Sequence, residues 1–101
     1  MATFETTARF DKDHALLDPF DKERFKRVVI EEFVPDLDVA VGGGRFRPGL
    51  RVKGVRGAPG ILEMTWAPDG RATFQFGEQL KLDEPHVIWR RVGTHDVFRS
   101  P

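Results

Sequence analysis

The sequence predicts one α+β domain, an N-terminal strand and a helical hairpin packed on a twisted antiparallel sheet of about four strands. Three observations carry this. Helix-like spacing of apolar residues is confined to the first third of the chain. After Gly42-Gly43-Gly44 the apolar residues alternate instead, and Pro68-Asp69-Gly70-Arg71 marks a reversal between two alternating runs. A chain of 101 residues has room for one core, so residues 1–101 are read as a single domain whose function lies on a surface or in a shallow cleft.

Residues 3–7, rich in Thr and Phe, read as the first strand. Phe10, His14 and Leu17 recur at the spacing of one helix face, which predicts a short helix over residues 8–17. Asp18-Pro19-Phe20-Asp21 then supplies a cap, a proline at the first helical position and an acidic residue three after the cap. The helix it opens is expected to end at Pro35, with Phe25, Val28, Val29 and Phe33 on one side and Lys22, Glu23, Lys26, Arg27 and Glu31 on the other. The glycine run is a connector, too short for a phosphate loop and without the Lys-Ser/Thr that would follow one. Strands are expected near residues 50–55, 61–67, 71–76 and 86–92, with Leu62, Met64 and Trp66, and Ala72, Phe74 and Phe76, on faces that cover the helices. In the reversal between the second and third of these, Pro68 presets φ, Asp69 caps the turn and Gly70 takes the left-handed position.

Composition excludes several kinds of chemistry. With no cysteine there is no disulfide, thiolate nucleophile or Cys-ligated zinc, and His14, His86 and His95 lack metal-ligand spacing, so neither a metal nor a cofactor is expected. No apolar run approaches the roughly 20 residues that span a bilayer. The N-terminal residues lack the basic head and apolar stretch of a signal peptide, so the expected location is the cytoplasm, away from membranes.

The zero net charge hides a division: residues 1–41 hold six basic and ten acidic side chains, residues 42–60 five and none, residues 61–101 five and six. The basic island of residues 45–56 is either a phosphate-contacting surface, through Arg47, Arg51 and Lys53, or a solvated loop and edge strand whose cations deter edge pairing.

The closing segment Gly93-Thr94-His95-Asp96-Val97-Phe98 places an imidazole, a carboxylate and a ring just past the last strand. With Arg9-Phe10-Asp11-Lys12-Asp13, residues 57–64 and Asp69-Gly70-Arg71, it makes nearly the whole chain resemble the RelE/ParE superfamily of bacterial type II toxins. The tail is most similar to the YafQ-type branch, whose members end in Gly-Thr-His followed by an aromatic. The resemblance implies a metal-independent endoribonuclease that cuts mRNA on the ribosome and is held silent by a cognate antitoxin. Three positions depart from the pattern. The chain has no tyrosine for a RelE-like tail, apolar neighbours around Leu62 and Met64 replace a lysine pair, and Thr65 stands where the YafQ-type branch has a histidine.

Cleavage beside a 2′-hydroxyl needs a base, an acid for the departing 5′-oxygen, and cations around the phosphorane-like transition state. The resemblance assigns His95 to proton transfer, Asp69 to orienting a base or acting as one, Arg71 to clamping the phosphate and Phe98 to stacking on a base. The residues also admit plainer roles: a histidine bonded within a terminal turn, a turn-capping aspartate, an arginine paired with Glu63, and a phenylalanine plugging the core. The alternative function is a toxin-fold binding module without nuclease activity, either a ParE-like inhibitor of gyrase or a silent relative that binds an antitoxin.

Overall fold

The computed structural model describes residues 2–101. Strand β1 (Thr3–Thr6) leads into helix α1 (Ala8–Leu16), where the Thr7 side chain caps the helix by accepting the Phe10 N–H. Helix α2 (Pro19–Val28) opens as its sequence predicts, with Asp18 accepting from the Asp21 N–H and Pro19 in the first turn, where no N–H is needed.

Pro35 does not end that helix. A wide π-helical turn (Val29–Phe33), in which the Val34 N–H bonds back to the Val29 carbonyl, joins α2 to α3 (Val34–Val41). The proline falls in the first turn of α3, so the break in the hydrogen-bond ladder and the residue that cannot donate coincide. The wide turn also keeps the apolar face aligned. Phe25, Val29, Phe33 and Leu37 are spaced by four, and each such step overshoots a 3.6-residue turn by about 40°. Absorbing one residue in the wide turn returns Phe33 and Leu37, both fully buried, to the sheet.

The sheet has five strands in the order β1-β5-β4-β3-β2, formed with β2 (Lys53–Gly54), β3 (Leu62–Thr65), β4 (Arg71–Lys81) and β5 (Glu84–Gly93). It is mixed where the sequence predicts antiparallel strands alone: β1 runs parallel to β5, Thr3 against His86 through Thr6 against Trp89, while the other pairs are antiparallel. Two strand lengths also differ from expectation. The predicted strand at 50–55 shrinks to two residues, because Pro48–Leu50 forms a 3-10 turn and Arg51 takes a left-handed conformation at φ 48°. The β4 strand runs on past Phe76 into a tight hairpin at Leu82 and Asp83, Asp83 adopting φ 61°.

The helices cover one face of the sheet. Phe33 lies 5.1 Å from Phe74 and 5.0 Å from Trp89 between ring centroids, and Met64, Ala72, Val87 and Val92 complete the core. Phe76 shares the face of Phe74 but lies beyond the helices, 48% exposed, against the expectation that it would be covered. On the other face, a 3-10 turn (His95–Arg99) folds back and buries Val97. The Thr73 hydroxyl, on that same face, donates to the Pro101 main-chain oxygen at 3.2 Å. Two long-range polar links fasten the N-terminal elements to β5. The His86 ring, 3% exposed, lies 2.7 Å from Thr3 Oγ1 and 2.6 Å from Glu5 Oε1. Arg91 donates to both oxygens of Asp13 on α1, at 2.7 and 3.1 Å, which raises the guanidinium above its ordinary value.

Candidate active site

The β3–β4 hairpin and the closing 3-10 turn build the site. Trp66 opens the hairpin: its N–H bonds the Gly70 carbonyl, the Gly70 N–H bonds Ala67, and its indole N–H reaches the Arg71 carbonyl at 3.0 Å. Gly70 keeps a negative φ rather than the left-handed one expected. Its requirement for glycine comes from space, since a Cβ there would stand 2.6 Å from the Trp66 ring and 2.7 Å from the Ala67 side chain. The indole thus packs under the loop and fixes the direction in which Asp69 leaves it.

Asp69 meets His95. The imidazole Nδ1 lies 2.8 Å from Asp69 Oδ1, across 26 residues of sequence, and both side chains are about two-thirds exposed. This hydrogen bond, and then the positive charges of His95 and Arg71, hold the Asp69 carboxyl below its ordinary value. Asp96 approaches the other ring nitrogen only to 3.9 Å, so Nε2 has no close acceptor among the described residues. Asp69 of the pair also walls a cleft of about 260 Å³, together with Gly70, Gly93 and Thr94.

On the other side of the hairpin turn lies a second groove of about 490 Å³, lined by Arg24, Arg27, Arg51 and Arg71 together with Thr65 and Trp66. Glu32 is the acidic side chain on its wall. The two hollows share Trp66 and Ala67.

The predicted site residues therefore divide. His95 and Asp69 come together, and Arg71 stands next to them, but its Nη1 donates to the carbonyls of Ala67, Pro68 and Gly70 at 3.0–3.2 Å rather than pairing with Glu63. Phe98 is half-buried beside Val97, which takes the plugging role instead. Of the island cations, Arg51 lines the groove. Arg47 does not: its Nε and Nη2 donate to Asp36 at 2.8 and 3.0 Å, its N–H donates to the same carboxylate, and Glu32 lies 3.8 Å away. Lys53 pairs with Glu63 across the edge at 3.8 Å. Arg24 and Arg27, absent from the sequence-derived set, come from α2. Their signal was present in the sequence, since two arginines three residues apart share one helix face. Among the described residues no group of histidines and carboxylates is arranged to hold a metal, and no helix is long and apolar enough to cross a membrane.

No family model and no curated protein matches the sequence. Solved structures do match. The chain superposes on YafQ in the Escherichia coli DinJ-YafQ toxin-antitoxin complex with a TM-score of 0.64 at 15% identity, over 95% of this chain and 94% of that one. The chain has the RelE-like fold of YafQ. YafQ from E. coli strain BL21(DE3) gives a TM-score of 0.63 at 13% identity over 96% and 97% of the two chains. HP0892, a conserved hypothetical protein of Helicobacter pylori, gives 0.56 at 24% over 95% and 97%. The YafQ-like scaffold thus spans nearly the full length of the chain, and its tail turn is what carries His95 to the hairpin.

Proposed function

We propose that this protein is the toxin of a type II toxin-antitoxin system, a metal-independent endoribonuclease that cleaves mRNA on the ribosome and so inhibits translation in the cytoplasm. The observation that carries the proposal is the Asp69–His95 hydrogen bond beside a groove of four arginines. Asp69 holds the ring by Nδ1, and Nε2 transfers the proton, taking it from the 2′-hydroxyl or giving one to the leaving 5′-oxygen. Arg71, fixed by three loop carbonyls, and Arg51, Arg24 and Arg27 stabilise the growing phosphorane charge and hold neighbouring phosphates. Phe98, half-buried in the same turn as His95, offers its exposed edge to a base. The fold of YafQ, a toxin crystallised with an antitoxin, supports a cognate antitoxin for this chain too, one whose acidic segments would cover the arginine groove.

The test is induced expression of the wild type and His95→Ala, with primer extension on cellular messages and circular dichroism on both proteins. Codon-phased cuts that fall by about 10²–10⁴ in the variant are expected for a lost acid–base group. Cuts that persist at full rate would sink the assignment. The second reading, a binding module without nuclease activity, is favoured by one observation: Arg71 spends its Nη1 on the loop it belongs to. Growth arrest without cuts, or neither, would select it.

A further inference from the structure

A second basic hollow shares no lining residue with the groove of Arg24, Arg27, Arg51 and Arg71. It measures about 460 Å³ and sits where the segment Ser100-Pro101 crosses the sheet face turned away from the helices. Arg9, Arg90, Arg91 and Arg99 line it, and no acidic side chain does.

The four arginines are not equivalent. Arg91 is already matched by the bidentate Asp13 carboxylate. Arg90, half-buried, directs its donors to the side-chain amide of Gln75 and to the Pro101 main-chain oxygen, 3.0 Å from Nε. Its Nη2 makes no hydrogen bond among the described residues. Arg9, exposed on the first turn of α1, makes no hydrogen bond or ion pair among the described residues. Arg99 reaches Asp96 only at 3.9 Å. Arg9 wholly, Arg90 through Nη2 and Arg99 beyond its long contact to Asp96 thus keep donors for an anion around one open hollow, and such planar forks match the paired oxygens of a phosphate.

We propose that Arg9, Arg90 and Arg99 form a second phosphate-binding site that holds the RNA backbone at a distance from the cleavage groove. This rests on the RNA reading above for the identity of the anion. The hollow is open and its edges are arginines, which suits a polyanion passing through rather than a small metabolite enclosed on all sides.

The probe is a 2′-O-methyl oligouridine, which cannot be cleaved, so binding is read without turnover. Its titration into the full chain is expected to move the arginine Nε–H resonances of Arg9, Arg90 and Arg99. In fluorescence anisotropy, Arg9→Ala with Arg99→Ala is expected to weaken binding and to make the slope of log K against log salt less negative by about 0.7 per removed contact. Both side chains are exposed, so the variants keep the fold. Still resonances, or an unchanged slope in the double variant, would overturn the proposal. The two readings fail separately. A chain that binds the probe here but gives no codon-phased cuts loses only the nuclease assignment, whereas one that cuts messages yet binds RNA unchanged after the double substitution loses only this site.

Discussion

A hydrogen bond joins Asp69 to His95, and under the proposed function substitution should show the two acting as one unit. Asp69 touches the ring, which in that proposal makes it a positioning residue for the imidazole. Asp69→Ala is expected to reduce cleavage less than His95→Ala, and the double variant no further than His95→Ala alone, because groups acting together are not additive. Additive losses in a quantitative in vitro translation assay would mean that the two act independently. The Asp36–Arg47 pair makes a different prediction. Hydrogen bonds from the Arg47 side chain, and then its main-chain N–H, hold the Asp36 carboxyl below its ordinary value of about 3.9. A depressed carboxyl contributes stability above the unfolded-state value, and that contribution is lost as pH falls through the folded one. Asp36→Asn should therefore be less stable than wild type in urea at about pH 7, with the gap closing as the pH falls through the depressed value of the carboxyl. A gap that stays constant with pH would show that the carboxylate charge contributes nothing.

At the scale of elements, the β3–β4 hairpin and the helix that passes through the π-helical turn into α3 decide most. Gly70→Ala would press a methyl group into Trp66 and Ala67, so we expect a loss of about 1–3 kcal/mol in stability and of cleavage activity together. Retention of both would mean that the loop shifts freely. Pro35→Ala should change stability by less than about 1 kcal/mol, well short of the roughly 3 kcal/mol a helix-interior proline costs, because the π-helical turn has already opened the ladder there. How far these elements could be read from the chain follows from local physics. The cap from Asp18 to Asp21 and the alternation through β3 and β4 are short-range, and they were legible, whereas the cap at Thr7, placed in the first strand by sequence, was not. The passage of the helix through Pro35 was not, since it depends on tertiary alignment of Phe33 and Leu37 rather than on the proline itself. Pairing was equally hidden: nothing local in residues 3–6 states that they lie parallel to β5. In the site, the tail motif and the hairpin motif were each visible in sequence, whereas their meeting at 2.8 Å, and the arrival of Arg24 and Arg27 from α2, required the fold.

For the molecule as a whole, the core turns on Phe33, which is fully buried and packs against Phe46, Phe74 and Trp89. Phe33→Ala is expected to cost about 3–5 kcal/mol, a large part of the roughly 5–15 kcal/mol that holds a small domain together. A urea midpoint close to wild type would show that the site collapses to fill the cavity. The parallel pairing of β1 with β5 has a further consequence, one of timing. Residues 3–6 leave the ribosome well before the strand they join, which arrives more than eighty residues later, Thr3 aligning with His86. A nascent chain must keep its opening segment unpaired until β5 has emerged, and only then can the core close over Trp89 and the following turn deliver His95 to Asp69. A copy abandoned partway through synthesis therefore has neither a closed sheet nor the Asp69–His95 pair. Under the function proposed above, an unfinished copy would be harmless to the ribosome that was making it.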